Sequence, residues 1–290
     1  MFKKLKQIRK EYMGINERNI NFIYPNNPRQ HYKLADDKVL AKGILQKNRI
    51  RTPETYGVIN RIGEIEKVWN SVEHHQRLVL KPACGRGGSG ILIMKKVGNQ
   101  WFSGDKELSL DRIFSHIANT IFGLYSFSDD DKVIIEQCII PHEFFGKIYS
   151  KGVPDIRVIT YKHTPVMAML RLPTNESDGK ANLHQGGLGV GIDLKTGTLM
   201  DAYNGKGYLA VHPDSHEIIT GKVLPHWNEI IKISKATSKV FPLKYLGVDL
   251  IIDQHEGPGV IEVNVRPGLG IQMANRKGLK TIINNKNHAA

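Results

Sequence analysis

The sequence predicts an α+β protein with antiparallel sheets, and three observations carry that reading. Short β-branched runs follow one another across tight turns, as where DIRVITY and VMAMLRL are joined only by KHTP. Amphipathic helices separate groups of strands instead of alternating with them one by one. The regular β-α-β alternation of a doubly wound parallel sheet is missing. At 290 residues, 40% hydrophobic and 24% charged, the chain can bury a substantial core in two or three subdomains.

Taken in order, the elements begin with MFKKLKQIRKEYMG, basic and without the apolar core of a secretory signal. Phe2, Leu5, Ile8 and Tyr12 fall at helical spacing among its lysines and arginines, the pattern of a helix docked on its own domain or lying on a membrane surface. Polar NERNINFIYPNNPRQHY leads to a helix, DDKVLAKGILQKN, with Asp36 as its N-cap and Val39, Leu40, Ile44 and Leu45 apolar. The next helix sets Ile65, Val68, Trp69 and Val72 on one side. Strand, loop and strand follow as RLVLKPA, CGRGGSG and ILIMKKV. A helix over 107–122 carries Leu110, Ile113, Phe114, Ile117 and Ile121. The strands KVIIEQCI, DIRVITY, VMAMLRL and LGVGIDL come next, then a helix around 225–240. LGVDLIID and GVIEVNVR, joined by QHEGP, close the series. The expected division is a basic N-terminal helical segment over 1–60, a small α+β subdomain with a glycine-rich hairpin over 61–135, and a C-terminal α+β subdomain over 136–290.

No stretch approaches the roughly 18 apolar residues needed to span a bilayer. Two cysteines, Cys84 and Cys138, are too few for a disulfide framework or a zinc site, and a reducing cytoplasm is the expected location. The formal net charge of +13 is uneven, since residues 1–51 hold 13 Lys and Arg against 4 Asp and Glu. Such a field suits an acidic macromolecule or an anionic membrane surface. Nucleic acid is disfavoured as the main partner, because no aromatic-interleaved basic sheet is present.

Gly85, Gly87 and Gly90 satisfy G-x-G-x-x-G, which alone means little. A dinucleotide fold needs a helix directly after the loop, and here strand-like ILIMKKV follows. A Walker loop needs Gly-Lys-Ser/Thr at its end, and this one ends Gly90-Ile91-Leu92. What remains is a hairpin tip of Gly85, Gly87, Gly88, Ser89 and Gly90, whose backbone N–H groups can approach phosphate, with Lys81 adding a point charge. In the last two strands Glu262 and Asn264 leave the same face. A hairpin symmetric about QHEGP would set Asp249 opposite Asn264 and complete an all-oxygen set suited to Mg²⁺ or Mn²⁺.

These residues together resemble the ATP-grasp superfamily. The early lysine, the KP-x-x-G-x-G-G-x-G loop, the acidic hinge and a terminal D…E-x-N with Arg-Pro-Gly occur in that family's order. Asp155-Ile156-Arg157 and ANLHQGG (181–187) point within it to the ribosomal-protein α-L-glutamate ligases and their relatives, and YNGKGYLAVHPDSHEIITGKVLPHW resembles an ATP-grasp subgroup with glutamate-ligase-like and sugar-transfer-linked members. The likeness covers roughly residues 36–275. It implies the ATP-grasp fold, with two α+β subdomains gripping ATP and two Mg²⁺ (or Mn²⁺) ions. Lys42 and Lys81 would contact the nucleotide phosphates. Glu136 would accept from the adenine amino group, the backbone from Gln137 through Cys138 to Ile139 would complete the base contacts, and Glu143 would take the ribose. Arg157 and Arg171 would bind γ-phosphate and acyl phosphate, Asn182 would sit near the metals, and Arg266 would lie near the reacting carboxyl, with His184 either a base or a hydrogen-bonding side chain lining the site. Asp249, Glu262 and Asn264 would be the metal ligands.

Two stretches depart from the glutamate-ligase pattern. PHEFFGKIYSKGVP lies between hinge and DIR, and YNGKGYLAVHPDSHEIITGKVLPHW has no counterpart there. Gln185 also stands where those ligases tend to have arginine. The activity implied is an ATP-dependent carboxylate–amine ligase working through an acyl phosphate, with small-molecule or peptide acids and amines as substrates. A small-molecule kinase, or a nucleotide-binding regulator without turnover, is the alternative.

Overall fold

A computed structural model describes residues 10–85, 87–126 and 130–288. The basic helix expected around Phe2, Leu5 and Ile8 therefore lies outside the described residues. The chain forms two units. One takes Asp37–Val39 and Pro53–Ile139; the other takes its described residues from Met1–Asp36, Leu40–Thr52 and Ile140–Ala290. The N-terminal stretch folds with the C-terminal half, which replaces the three consecutive blocks that the sequence suggests.

Helix α1, Lys38–Lys47, buries Ala41, Lys42 and Leu45, three and four residues apart as a one-faced helix requires. Its cap is Asp37, whose Oδ1 accepts from the amide of Val39 at 2.9 Å. The expected cap, Asp36, instead ends a preceding turn over Lys33–Asp36, where its own amide already donates to the carbonyl of Tyr32.

In the first unit, strands β1 (Thr55–Ile59), β2 (Arg77–Pro82), β3 (Leu92–Val97), β4 (Gln100–Ser103), β5 (Lys106–Leu108) and β6 (Val133–Gln137) form one antiparallel sheet ordered β1-β6-β2-β3-β4-β5. Helices α2 (Ile65–Val72) and α3 (Leu110–Ile121) supply the apolar side that packs with it. Trp69, Leu78, Leu80, Met94, Trp101, Ile113, Ile117 and Ile135 fill that core. Helix α3 starts later than its periodicity suggests because Lys106–Leu108 is drawn into β5; Ser109 then caps it, accepting from the amide of Arg112. Alternation along β2 puts Leu78 and Leu80 into the core and Lys81 on the opposite face.

The second unit holds β7 (Asp155–Tyr161), β8 (Thr164–Leu172), β9 (Leu188–Ile192), β10 (Leu199–Tyr203), β11 (Tyr208–Leu209), β12 (Tyr245–Asp253) and β13 (Gly257–Asn264). They form an antiparallel sheet in the order β11-β10-β9-β8-β7-β12-β13. Helix α4, Trp227–Val240, packs on its central strands. The β12–β13 hairpin differs from the symmetric one. Its turn is shorter, because Asp253 Oδ1 accepts the amides of His255 and Glu256 and Asp253 already pairs with Gly257. A one-residue bulge at Ile261 then resets the register, so that Asp249 faces Glu262 and Gly247 faces Asn264. The three polar side chains still share a face.

The N-terminal stretch is bonded into this unit. Met13 is buried, its amide donates to Gln272 Oε1 at 2.8 Å, and its carbonyl accepts from Gln272 Nε2 at 3.0 Å. Asn27 closes a similar pair with the backbone of Tyr245, at 2.7 and 2.9 Å. Deleting residues 1–13 removes Met13 and strands a buried amide. We therefore expect that truncation to lower stability by about 2–4 kcal/mol in a denaturant titration, where a deletion stopping at residue 9 spares these bonds.

Candidate functional site

In the second unit the register of three neighbouring strands builds a row of charge. Arg157 on β7 pairs with Asp249 on β12, which pairs with Glu262 on β13. Directly paired residues project from one face, so the three side chains are neighbours. Two residues along, Asp155 of β7 pairs with Arg171 of β8. Arg157 grips Asp249 with two bonds, Nε to Oδ1 at 2.7 Å and Nη2 to Oδ2 at 2.5 Å. Arg171 donates to Asp249 Oδ2 at 2.7 Å and to Asp155 Oδ1 at 2.5 Å. Asn264 Nδ2 donates to the same Oδ2 of Asp249 at 3.1 Å. Gly247 makes room for Pro267, since a β-carbon there would meet the proline at 2.7 Å.

Asp249 is 0% exposed. Burial works against its charge, but the two guanidiniums outweigh this and hold its carboxyl below the usual range. Asp155 behaves the other way. Burial pushes it up to about 6, Arg171 opposes the shift, and the nearby charge of Asp249 adds to it. Burial would lower Arg171, yet Asp155 and Asp249 keep it above the ordinary arginine value.

The sequence points to Arg157 and Arg171 as phosphate binders and to Asp249 as a metal ligand. The structure brings all three together and gives Asp249 a further task, that of anchoring both arginines. Asp155, the anchor of Arg171, escaped notice as a site residue, although its spacing from Arg157 in DIR already puts both on one strand face. The donor set fits a hard divalent cation through the Glu262 carboxylate and the Asn264 amide oxygen, both half-buried on the face of β13 that carries the row. It fits less well through Asp249 while that carboxylate serves two guanidiniums. Among the described residues, no three His, Cys, Asp or Glu side chains form a metal-holding group by themselves.

The first unit carries its own polar face. Lys81 pairs with Ile134 and Glu136 with Val79, so the two ionic side chains are diagonal neighbours on β2 and β6. Lys81 Nζ lies 2.6 Å from Glu136 Oε1, with side-chain exposures of 7% and 6%. Glu136, expected at an adenine amino group, thus also holds the lysine. Gln137 binds back to Glu54, its amide donating at 2.9 Å and its side-chain oxygen accepting at 3.1 Å; Cys138 and Ile139 are half-buried. Past Pro82, Gly87, Gly88 and Gly90 have φ of 63°, 78° and 74°, the region glycine enters without strain, and Ser89 is exposed. Burial first, then the charge of Asp131, pushes the Cys84 thiol up to about 11, which works against a thiolate there.

Lys42 is buried on α1. Glu143 is exposed at the start of a short turn, with Lys147 at 3.4 Å. Asn182 caps a turn over Leu183–Gln185 by accepting the amide of His184, which is itself exposed. Arg266 is exposed, its guanidinium 5.3 Å from the centroid of the Tyr32 ring.

The two stretches that depart from the glutamate-ligase pattern meet here. Tyr149 of the first stacks on His212 of the second, with centroids 4.4 Å apart and planes 20° apart. Tyr149 Oη donates to Asn175 Oδ1 at 2.8 Å, and His212 Nε2 bonds the carbonyl of Pro173 at 2.9 Å. Ser215 Oγ donates to the carbonyl of Ile148, and Gly152 lies so close to Gly179 that a β-carbon would come within 2.1 Å of its carbonyl oxygen. Both stretches thus brace the loop that leads to Asn182 and His184.

With this geometry in hand, comparisons were made with known proteins. The profile of a family described as sugar-transfer-associated ATP-grasp matches residues 17–287. Among solved structures, a biotin carboxylase complex from Campylobacter jejuni is similar at 12% identity, with 87% of this chain and 46% of that chain covered and a TM-score of 0.53. A RimK-domain ATP-grasp protein from Sphaerobacter thermophilus gives 13% identity, 90% and 70% coverage and 0.49. The ATP-grasp ligase PsnB complexed with a minimal precursor gives 13% identity, 91% and 62% coverage and 0.46, so this chain spans about three fifths of PsnB. At these identities the likeness is one of fold. No curated protein matches by sequence.

Proposed function

We propose, for a chain that belongs to the sugar-transfer-associated ATP-grasp family, that it is an ATP-dependent ligase joining a carboxylate to an amine through an acyl phosphate. What supports the reading most is the row of Arg157, Asp249 and Glu262 with Arg171 beside it. Two guanidiniums held by buried carboxylates present fixed donors to a phosphoryl group as its charge spreads over three oxygens.

A carboxylate is a poor electrophile. Its oxygen first attacks the γ-phosphorus of ATP and ADP departs; an amine nitrogen then attacks the carbonyl carbon, phosphate departs, and the nitrogen loses a proton. Arg157 and Arg171 stabilise the phosphoryl oxygens in the first step and the leaving phosphate in the second. Asp249 and Asp155 keep both arginines from turning away. Lys42, Lys81 and the amides of the glycine loop take nucleotide phosphates. The stretch from Glu136 to Ile139 takes the base and Glu143 the ribose. Glu262 and Asn264 would hold Mg²⁺, which supplies charge neutralisation on the phosphates. Asn182, His184 and the exposed guanidinium of Arg266 meet the acid and amine, which are small molecules or peptide ends.

The test uses ATP and Mg²⁺ with amino acids, short peptides and peptidyl carboxylates, with hydroxylamine as a small amine. The expected result is a hydroxamate with one ADP released per product, since hydroxylamine intercepts an acyl phosphate. A phosphate ester with no hydroxamate would show a kinase instead. In the same preparation MgATP should raise the melting temperature, and Glu262→Gln should lose only the metal-dependent part of that shift. An equal shift in the variant would mean that Glu262 is no metal ligand.

A further inference from the structure

The glycine loop is held at both ends by side chains that no motif contains. At its start, Lys38 Nζ donates to the carbonyl of Gly85 at 2.6 Å, and the amide of Cys84 donates to the buried carboxylate of Asp131 at 3.1 Å. At its end, His116 Nε2 lies 3.0 Å from the carbonyl oxygen of Gly90. Behind that carbonyl stands Tyr125, its ring centroid 5.2 Å from that of His116 and its hydroxyl 3.4 Å from His116 Nδ1. The ring of Tyr125 occupies the space that a side chain at residue 90 would need: a β-carbon there would meet its Cγ at 2.5 Å.

These contacts fix the protons. A carbonyl only accepts, so His116 Nε2 carries hydrogen and donates to Gly90; the neutral ring then offers Nδ1 to the hydroxyl of Tyr125. Burial lowers the pKa of His116 and favours this neutral form. An anion cradle requires N–H groups turned toward the ligand and carbonyl oxygens turned away from it. Because the peptide unit is planar, a donor that captures the Gly90 carbonyl also aims the N–H of Ile91 the opposite way.

We propose that His116 and Tyr125 are positioning residues of the phosphate loop, orienting the Gly90–Ile91 peptide so that its amide faces the nucleotide phosphates. The inference rests on the reading of this loop as an ATP site. It predicts a loss confined to the phosphate end of the nucleotide.

The experiment measures equilibrium binding of MgATP and of adenosine to the full chain and to four variants. Apo melting curves verify that each is folded. His116→Ala should weaken MgATP about fivefold to tenfold, the scale of one lost hydrogen bond and a freed peptide, and leave adenosine within twofold. His116→Gln, which can still donate, should recover most of the loss. Tyr125→Phe keeps the ring and should fall between wild type and Tyr125→Ala. Should His116→Ala or Tyr125→Ala not fold, His116→Gln and Tyr125→Phe carry the comparison by the order of their MgATP affinities. MgATP affinities unchanged in all folded variants, or adenosine weakened as much as MgATP, would overturn the positioning role. Failure of the wild-type chain to bind MgATP would overturn the nucleotide reading itself.

Discussion

Asp249→Ala is expected to destabilise the protein by about 3–5 kcal/mol and to abolish turnover. The side chain is fully buried and neutralises parts of two guanidiniums, Arg157 through two bonds and Arg171 through one. Removing it leaves two mostly buried guanidiniums with Asp155 and Glu262 as the remaining nearby carboxylates, and removal of one partner of a buried pair typically costs that much. Asp249→Asn keeps the shape and some acceptor capacity, so its loss should be smaller. Denaturant midpoints measure the first effect and ADP release the second. A soluble, fully stable Asp249→Ala protein would show that the arginines find other partners, and the anchoring role of Asp249 would fall.

The second large effect is expected at Lys81. Lys81→Met should lower turnover by about two to three orders of magnitude, the scale seen when one preorganised donor to a transition state is removed. Because Lys81 lies 2.6 Å from Glu136 with both side chains buried, the variant also leaves a carboxylate buried without this cation. Lost stability could then be mistaken for lost catalysis. The double variant Lys81→Met with Glu136→Gln separates the two: it should regain most of the stability and none of the turnover. Turnover that returned with stability would assign Lys81 a structural part only.

Much of this was legible in the sequence, for identifiable reasons. The periods of α2, α3 and α4 are strong because each buries one apolar stripe, and β2, β7, β8, β12 and β13 read clearly as β-branched runs. Strands β4 and β5 did not, because at four and three residues they are too short to show an alternating pattern. Asp249 and Glu262 stand out because acids interrupt apolar runs, whereas Arg157 on β7 is singled out only by the family resemblance. Their exact pairing could not be read, since the bulge at Ile261 and the turn built on the Asp253 side chain set the register through contacts that spacing does not encode. Asp155 and Asp249 as arginine anchors, and His116 behind the glycine loop, needed coordinates: each acts on a residue far away in sequence. The capping error, Asp36 for Asp37, came from adjacent aspartates competing for one helix start.

The stacking of Tyr149 on His212 bears on how this chain could have come to differ from the glutamate-ligase pattern. In the sequence the two departing stretches look like separate insertions, with 48 residues between them. In space they form one cassette, bonded to each other and to the loop before Asn182 through Ser215, Asn175 and Pro173. Either half alone would leave an aromatic face bare and polar backbone unmatched. A chimera that transplants only one of them into a related scaffold should therefore fold poorly, where grafting both carries its own packing with it.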